Sequence, residues 1–333
     1  SMTNLTRVAG RTGTGPTNEV AFNAIPFTSY VIAVDGNDGG AGFYTLSAGY
    51  ASSPPNDNFA NRITLTGTNI FTSGYNVSAS RETGEPNHSG ATGVGSVWWS
   101  WSAPSAGRLF LTTIGSSFPP LMGSPLLGAY QGPSVSGLSS VADVFYPGLS
   151  CPFFSFANFD VTGPFFPQTY QIAVDGESGS PQPVGGIDLG LIFIPKPVND
   201  DFNSRTLLTG SFLVATGSLV AASQQAGEVV EGFSSGLRTA WYSWTAPDDI
   251  GGSSGRVTLR VTGIDFPGST GLLVQVYQGS SLAALTPVPV ESETKGNIRQ
   301  ITFRAQTGAT YQIVVAGESD VAGGLNASLI RRR

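Results

Sequence analysis

Tandem antiparallel β-sandwich domains of jelly-roll type, two complete and one half, make up the all-β fold class that this sequence predicts. Three observations carry the prediction. Apolar and polar residues alternate with period two in segment after segment, as on strands with one buried face. Glycine (44) and proline (22) are frequent among the 333 residues, so turn signals are closely spaced. Long phrases also recur: Asn199-Asp200-Asp201-Phe202 stands 143 positions after Asn56-Asp57-Asn58-Phe59. A period of that length means tandem domains, not a solenoid of short units.

Residues 1–50 match only the second half of a unit. The phrase Tyr30-Val31-Ile32-Ala33-Val34-Asp35-Gly36 returns at Tyr170–Gly176 and at Tyr311–Gly317, but the segment has no tryptophan-bearing strand. Strands are expected near Leu5–Val8, Glu19–Ala24, Tyr30–Val34 and Gly42–Ala48. Half a sandwich leaves one sheet face and its edges open. Two readings are open: the unit is simply cut short, or the missing strands arrive from another chain by strand addition, in head-to-tail self-association through residues 1–50; a break that falls in a loop favours the second.

Ala51–Pro55 is a Pro-containing linker into the first complete repeat, residues 55–194. That repeat carries Trp98-Trp99-Ser100-Trp101 running into Ala103-Pro104, then Tyr130-Gln131-Gly132. From Val141 to Tyr170 the chain takes 29 steps, against 23 from Val288 to Tyr311. The extra material, within 142–166, holds eight large aromatics from Phe145 to Phe166. So many rings exceed what a loop buries under itself, so either they form a local satellite core or they make an interdomain or intersubunit contact, for which Phe153, Phe154 and Phe156 are the candidate interface. Ile194-Pro195-Lys196-Pro197 links to the second repeat, residues 198–330. There Val257, Leu259 and Val261, then Ile301, Phe303 and Ala305, then Tyr311, Ile313 and Val315 alternate with more polar neighbours.

Charged residues are only 11% of the chain and the net charge is −6, so nucleic acid is not an expected partner. No apolar stretch approaches the ~18 residues of a membrane span. No positively charged region or apolar core follows Met2, so no secretory signal is read there. Cys151 stands alone, which excludes an intramolecular disulfide. The uncharged Thr/Ser/Gly-rich surface favours an extracellular or cell-surface setting.

Catalytic residues are scarce. His88 is the only histidine, so two-His metal sites and repeated His-based triads are excluded. A repeated Lys-dependent isopeptide is excluded as well, since Lys196 and Lys295 are the only lysines. Oxygen ligands for a hard cation are better represented. Repeat one offers Asn56 and Asp57 at its entry, with Glu82 and Glu85 about 25 positions on; repeat two offers Asn199, Asp200 and Glu228, with Gln225 in place of Glu82. The competing reading is that these Asn and Asp residues shape turns at the domain start.

The set Asn-Asp-x-Phe, Glu-x-Gly-Glu-Pro, the Trp-rich strand into Ala-Pro, Val-Tyr-x-Gly and Tyr-x-Ile-x-Val-Asp-Gly resembles bacterial pre-peptidase C-terminal-type domains. The resemblance covers nearly the whole chain. It implies a jelly-roll-like extracellular sandwich without catalysis in the module, and a structural calcium on Asn56, Asp57, Glu82 and Glu85. Repeat two departs from the pattern at Gln225 and Val229, and Ala316 stands where the other units have Asp35 and Asp175. That change points to a turn role for the aspartate.

Alternation places Trp99 and Trp101 on the core face of their strand. Core packing is the favoured use of all these rings, since a sandwich core needs large apolar residues; Trp98 and Trp241 fall on the other face and are the candidates for stacking a ligand if either set is exposed. The functional expectation is a non-catalytic structural or adhesive repeat protein, a filament subunit assembled by strand complementation. The rival is a polysaccharide- or protein-binding accessory region of a larger secreted hydrolase.

Overall fold

The computed structural model describes residues 5–8, 20, 22, 24–25, 27–36, 39–118, 125–142, 144–145, 154–177, 184–228, 230, 237–248, 254–264, 272–318 and 324–331. By contacts the chain falls into two compact units. One comprises 1–102, 110–159 and 169–192, and the other 103–109, 160–168 and 193–333. Among the described residues all regular elements are strands and single 3-10 turns, and no helix is long and apolar enough to cross a membrane.

Repeat one is a pair of five-stranded sheets. The first contains β1 (Ile63–Leu65), β3 (Val97–Ala103), β9 (Gln168–Asp175), β5 (Leu126–Gln131) and β6 (Ser139–Ser140), in that spatial order. The second contains β2 (Asn69–Tyr75), β10 (Gly186–Pro195), β4 (Gly107–Thr112), β8 (Phe156–Val161) and β7 (Val144–Phe145). Repeat two has the same order. Its first sheet runs β11 (Thr206–Leu208), β13 (Leu237–Thr245), β19 (Thr310–Glu318), β15 (Leu272–Gln278), β16 (Thr286–Pro287). Its second runs β12 (Leu213–Ser218), β20 (Gly324–Arg331), β14 (Ser254–Ile264), β18 (Ile298–Gln306), β17 (Glu291–Lys295). In repeat two pairing is antiparallel except at one edge, where β11 runs parallel to β13 with Thr206 opposite Tyr242; in repeat one the equivalent β1 runs parallel to β3 with Ile63 opposite Trp99. The edge strand and its neighbour are separated in sequence by a strand of the other sheet, and that crossover permits the parallel direction.

Between the sheets lie the alternating residues that the sequence marks. Trp99, Trp101, Leu109, Leu111, Tyr170 and Ile172 are buried in repeat one, and Tyr242, Trp244, Leu259, Phe303, Tyr311 and Ile313 in repeat two. Trp101 donates from Nε1 to the carbonyl of Gly67 (2.7 Å), and Trp244 does the same to Gly210 (2.8 Å). Both glycines turn with positive φ, a conformation that side chains resist.

Strand β3, inside the sheet between β1 and β9, is buried on both faces. Its outward tryptophan, Trp98, is covered by Phe59 of the entry turn (ring centroids 5.2 Å, 82° between planes), with Tyr130 and Ala173 completing a second small core. Phe202 covers Trp241 in the same way (5.1 Å, 81°) beside Tyr277 and Val314. The expectation that Trp98 and Trp241 are the exposed, ligand-stacking pair is therefore overturned: both are 0% exposed. Period-two alternation identifies the two faces of a strand but not a segment that folds over the outer one.

The described residues of 1–50 form no strand, so the strands expected at Leu5–Val8, Tyr30–Val34 and Gly42–Ala48 are absent; part of Glu19–Ala24 lies outside the described residues. Ile32 and Val34 are exposed, as are Phe27, Phe43 and Tyr44, whereas Ile172 and Val174, the counterparts of Ile32 and Val34 within β9, are buried. Strand sequence without a laddering partner satisfies neither its backbone groups nor its apolar face.

Candidate functional site

The entry corner of each repeat is built from the residues that the sequence offers to calcium. Asn56 donates from Nδ2 to the Trp98 carbonyl (3.0 Å), and the Trp98 N–H returns to Asn56 O (2.9 Å). Asp57 accepts from Ser80 N–H (2.6 Å) and from the Ser80 hydroxyl. Glu82 Oε2 accepts from Phe59 N–H (2.5 Å), the first amide of the 3-10 turn. Repeat two reproduces this: Asn199 donates to Trp241 O (3.1 Å), Asp200 accepts from Ser223, and Gln225 Oε1 accepts from Phe202 N–H (3.0 Å). Asp200 also pairs with Lys196 at 2.6 Å. An amide oxygen serves as well as a carboxylate for a single N–H, so Gln225 replaces Glu82 without changing the corner.

Glu85 lies elsewhere. It is turned inward, accepting from Glu82 N–H at Oε2 (2.9 Å), and at Oε1 from Ser96 Oγ (2.5 Å) and from His88 Nε2 (3.0 Å). Burial pushes its carboxyl up, but the hydrogen bonds from His88, Ser96 and Glu82 outweigh this and hold it below the ordinary 4.5. A carboxylate that accepts at Oε1 places the imidazole proton on Nε2. His88 Nδ1 then accepts from the Tyr130 hydroxyl, 2.6 Å away. His88 fits here because β5 has Gly128 beneath it; a Cβ at that position would lie 2.8 Å from Nδ1 and 2.5 Å from the Tyr130 ring.

The third member is Asp175 at the end of β9. Its Oδ1 accepts from the N–H groups of Val94 (3.1 Å), Gly95 (2.8 Å) and Gly176 (2.6 Å), which is the turn role read from the sequence. Its Oδ2 is buried and has no hydrogen-bond partner. Burial pushes this carboxyl up despite those bonds and the nearby His88. One ligand atom each of Glu85, His88 and Asp175 lies within 4.8 Å of the others, and all three residues are buried. The structure thus brings Glu85 to His88 and Asp175, and leaves Asn56, Asp57 and Glu82 at the corner.

The order Tyr130 hydroxyl, His88, Glu85 has the connectivity of a hydroxyl–imidazole–carboxylate triad. His88 is 0% exposed and Tyr130 3%, so no substrate reaches either atom in this arrangement. Burial, with Glu85 and Asp175 nearby, pushes the Tyr130 hydroxyl far above its ordinary value, the reverse of an activated nucleophile.

Repeat two has no such cluster among its described residues. Glu228 accepts from Thr239 Oγ1 (2.8 Å) and Trp241 Nε1 (2.7 Å), Ala316 replaces Asp175, and Gln275 replaces Gly128 and accepts from the Tyr277 hydroxyl. The available sequence signals were the glycine within strand β5 and the single histidine, with Asp175 replaced by Ala316 in repeat two.

Of the proposed interface rings, Phe153 lies outside the described residues, Phe154 is half-buried and Phe156 is exposed on β8. Phe159 faces inward against Tyr170 (5.2 Å). The loop read as an insertion therefore contains strand β8. An unforeseen exposed ring is Phe71 on β2, which rests over Gly190 of β10 beside the Ser73–Asp188 hydrogen bond (2.7 Å).

No protein-family model and no curated protein matches the chain. Among solved structures it is similar to a Paenibacillus sp. cycloisomaltooligosaccharide glucanotransferase complexed with cycloisomaltoheptaose. The identity is 10%, over 71% of this chain and 43% of the other, with a TM-score of 0.18. The chain thus spans less than half that enzyme's length, and a likeness at this level carries no argument about function.

Proposed function

We propose that this chain is a non-catalytic extracellular repeat protein with a structural or adhesive role, in which residues 1–50 form a half-domain completed by complementary strands of a second copy. One observation carries the reading. A phrase shared by three units is buried strand in two of them, while in residues 1–50 it is unpaired and exposes its apolar side chains. In repeat one the strands that pair with this phrase are the Trp-bearing β3 and β5. Head-to-tail completion of that kind makes open filaments when its rotation does not close. Sedimentation of residues 1–333 and 52–333 tests it. Concentration-dependent growth of the longer chain alone is expected; monomers in both cases would refute the filament.

The rival reading, a polysaccharide-binding accessory region, is favoured by Phe71. An exposed ring supported by a glycine, with Asp188 and Ser73 alongside, is a surface on which a sugar ring can stack. Retarded migration in gels containing soluble polysaccharide, abolished by Phe71→Ala, would support it. Calcium belongs to the proposal as a stabiliser of the repeat-one corner. A melting temperature raised by millimolar calcium and lowered by chelator would place it there. An unchanged melt leaves the corner held by hydrogen bonds alone.

A further inference from the structure

We propose that Glu85, His88 and Asp175 form a buried transition-metal site, with Zn2+ the ion best suited to it, present in repeat one and not in repeat two. Three ligand atoms of the right kind converge within 4.8 Å. Ligands ~2.1 Å from a shared tetrahedral ion stand about 3.4 Å apart. The 3.0 Å between His88 Nε2 and Glu85 Oε1 is close to that value. A second observation points the same way: Asp175 Oδ2 is buried with nothing donating to it. A lone buried carboxylate oxygen costs free energy unless it meets a donor or a cation.

The chemistry selects the ion. Calcium takes six to eight oxygen ligands, and this site offers one imidazole and two carboxylates. An imidazole with carboxylates suits zinc and its neighbours in the first transition series. A divalent ion would neutralise two carboxylates that otherwise share a buried space. Coordination requires His88 Nε2 to give up its proton, which moves the N–H to Nδ1. Tyr130 Oη, 2.6 Å from Nδ1, then accepts that proton's hydrogen bond and passes its own to Asn87 O at 3.2 Å. This is the outer-shell arrangement that orients metal-bound histidines. His88 lies between the exposed residues Asn87 and Gly90 of a surface loop, so opening that loop admits an ion.

Repeat two is the internal control. Ala316 removes one ligand, and with His88 the single histidine of the sequence, repeat two has no imidazole to offer. The site stands or falls separately from the filament and from calcium at the corner.

The test uses the untagged full chain, stripped with chelator and titrated with zinc alone. One equivalent should bind and raise the melting temperature, while millimolar calcium should not displace it. Cobalt(II) should give the intense visible bands of a four-coordinate N/O site. Asp175→Ala, which copies repeat two, should weaken zinc binding by roughly 100-fold or more while circular dichroism stays that of the folded chain. Absence of zinc binding to the wild type, or undiminished binding by Asp175→Ala, would overturn the proposal. If Asp175→Ala does not fold, the wild-type cobalt spectrum decides: six-coordinate bands of a hydrated surface ion refute the site.

Discussion

Glu85 and Glu228 occupy the same position in their repeats, yet their surroundings drive them in opposite directions. Glu85 receives a histidine N–H as well as a serine and sits below its ordinary pKa. Glu228 receives Thr239, Trp241 and the Gln225 backbone but no histidine; burial dominates and its pKa is raised. The unfolded Glu228 carboxyl loses its proton near 4.5, before the folded one does. Between those two values the folded state binds more protons, so this group's contribution falls as pH rises through the window and stays low above it. Glu228→Gln removes the titration. Its amide oxygen can accept from Trp241, and its NH2 can donate to Thr239, whose hydroxyl also reaches Ser223 O (2.9 Å). The variant should match the wild type in acid and exceed it at neutral pH. Denaturant melts across pH 4–8 would show this, and parallel curves would refute it. Trp98 yields a second prediction. Because it is core, Trp98→Ala should cost about 3–5 kcal/mol of stability. Stability unchanged with a binding activity lost would restore the ligand-stacking reading.

Strands and turns were legible where local sequence decides them. The alternation in β14, β18 and β19 and the Trp-bearing β3 and β13 follow from side chains that face one core. The parallel edge pairs β1–β3 and β11–β13 were not legible, because their direction depends on a crossover between sheets. Nor was the second small core over Trp98, which forms only when Phe59 folds back across the sheet. The entry corner could be read two ways, as calcium ligands or as turn residues, since both uses call for Asn, Asp and Glu. The structure shows each side chain accepting or donating a backbone hydrogen bond. His88 is positioned by an absence: Gly128 leaves the space that Gln275 fills in repeat two. Gly128→Ala should therefore strain both the Tyr130 ring and the imidazole and destabilise repeat one by ~1–3 kcal/mol. An unfolding curve superimposable on the wild type would show that the close approach is unimportant.

Across the chain, the repeats and residues 1–50 differ in how their shared phrases are satisfied. In β9 and β19 the backbone is laddered on both sides, by β3 and β5 in one repeat and by β13 and β15 in the other. In the described residues of 1–50 the same kind of sequence has no ladder, and Phe27, Phe43, Tyr44 and Tyr50 are exposed. Proteases cut where an extended backbone can enter their cleft, and laddered strands must first open. Brief chymotrypsin treatment should therefore cleave after these aromatics and leave a resistant fragment beginning near Ala51, with Trp98 and Trp241 still protected. The digestion also reports on completion of the half-domain. If a second copy supplies the missing strands, protection of residues 27–50 should rise with protein concentration, in step with sedimentation. If cleavage is equally fast at every concentration, residues 1–50 are not completed by another copy of this chain, and the filament reading falls while the two sandwiches stand.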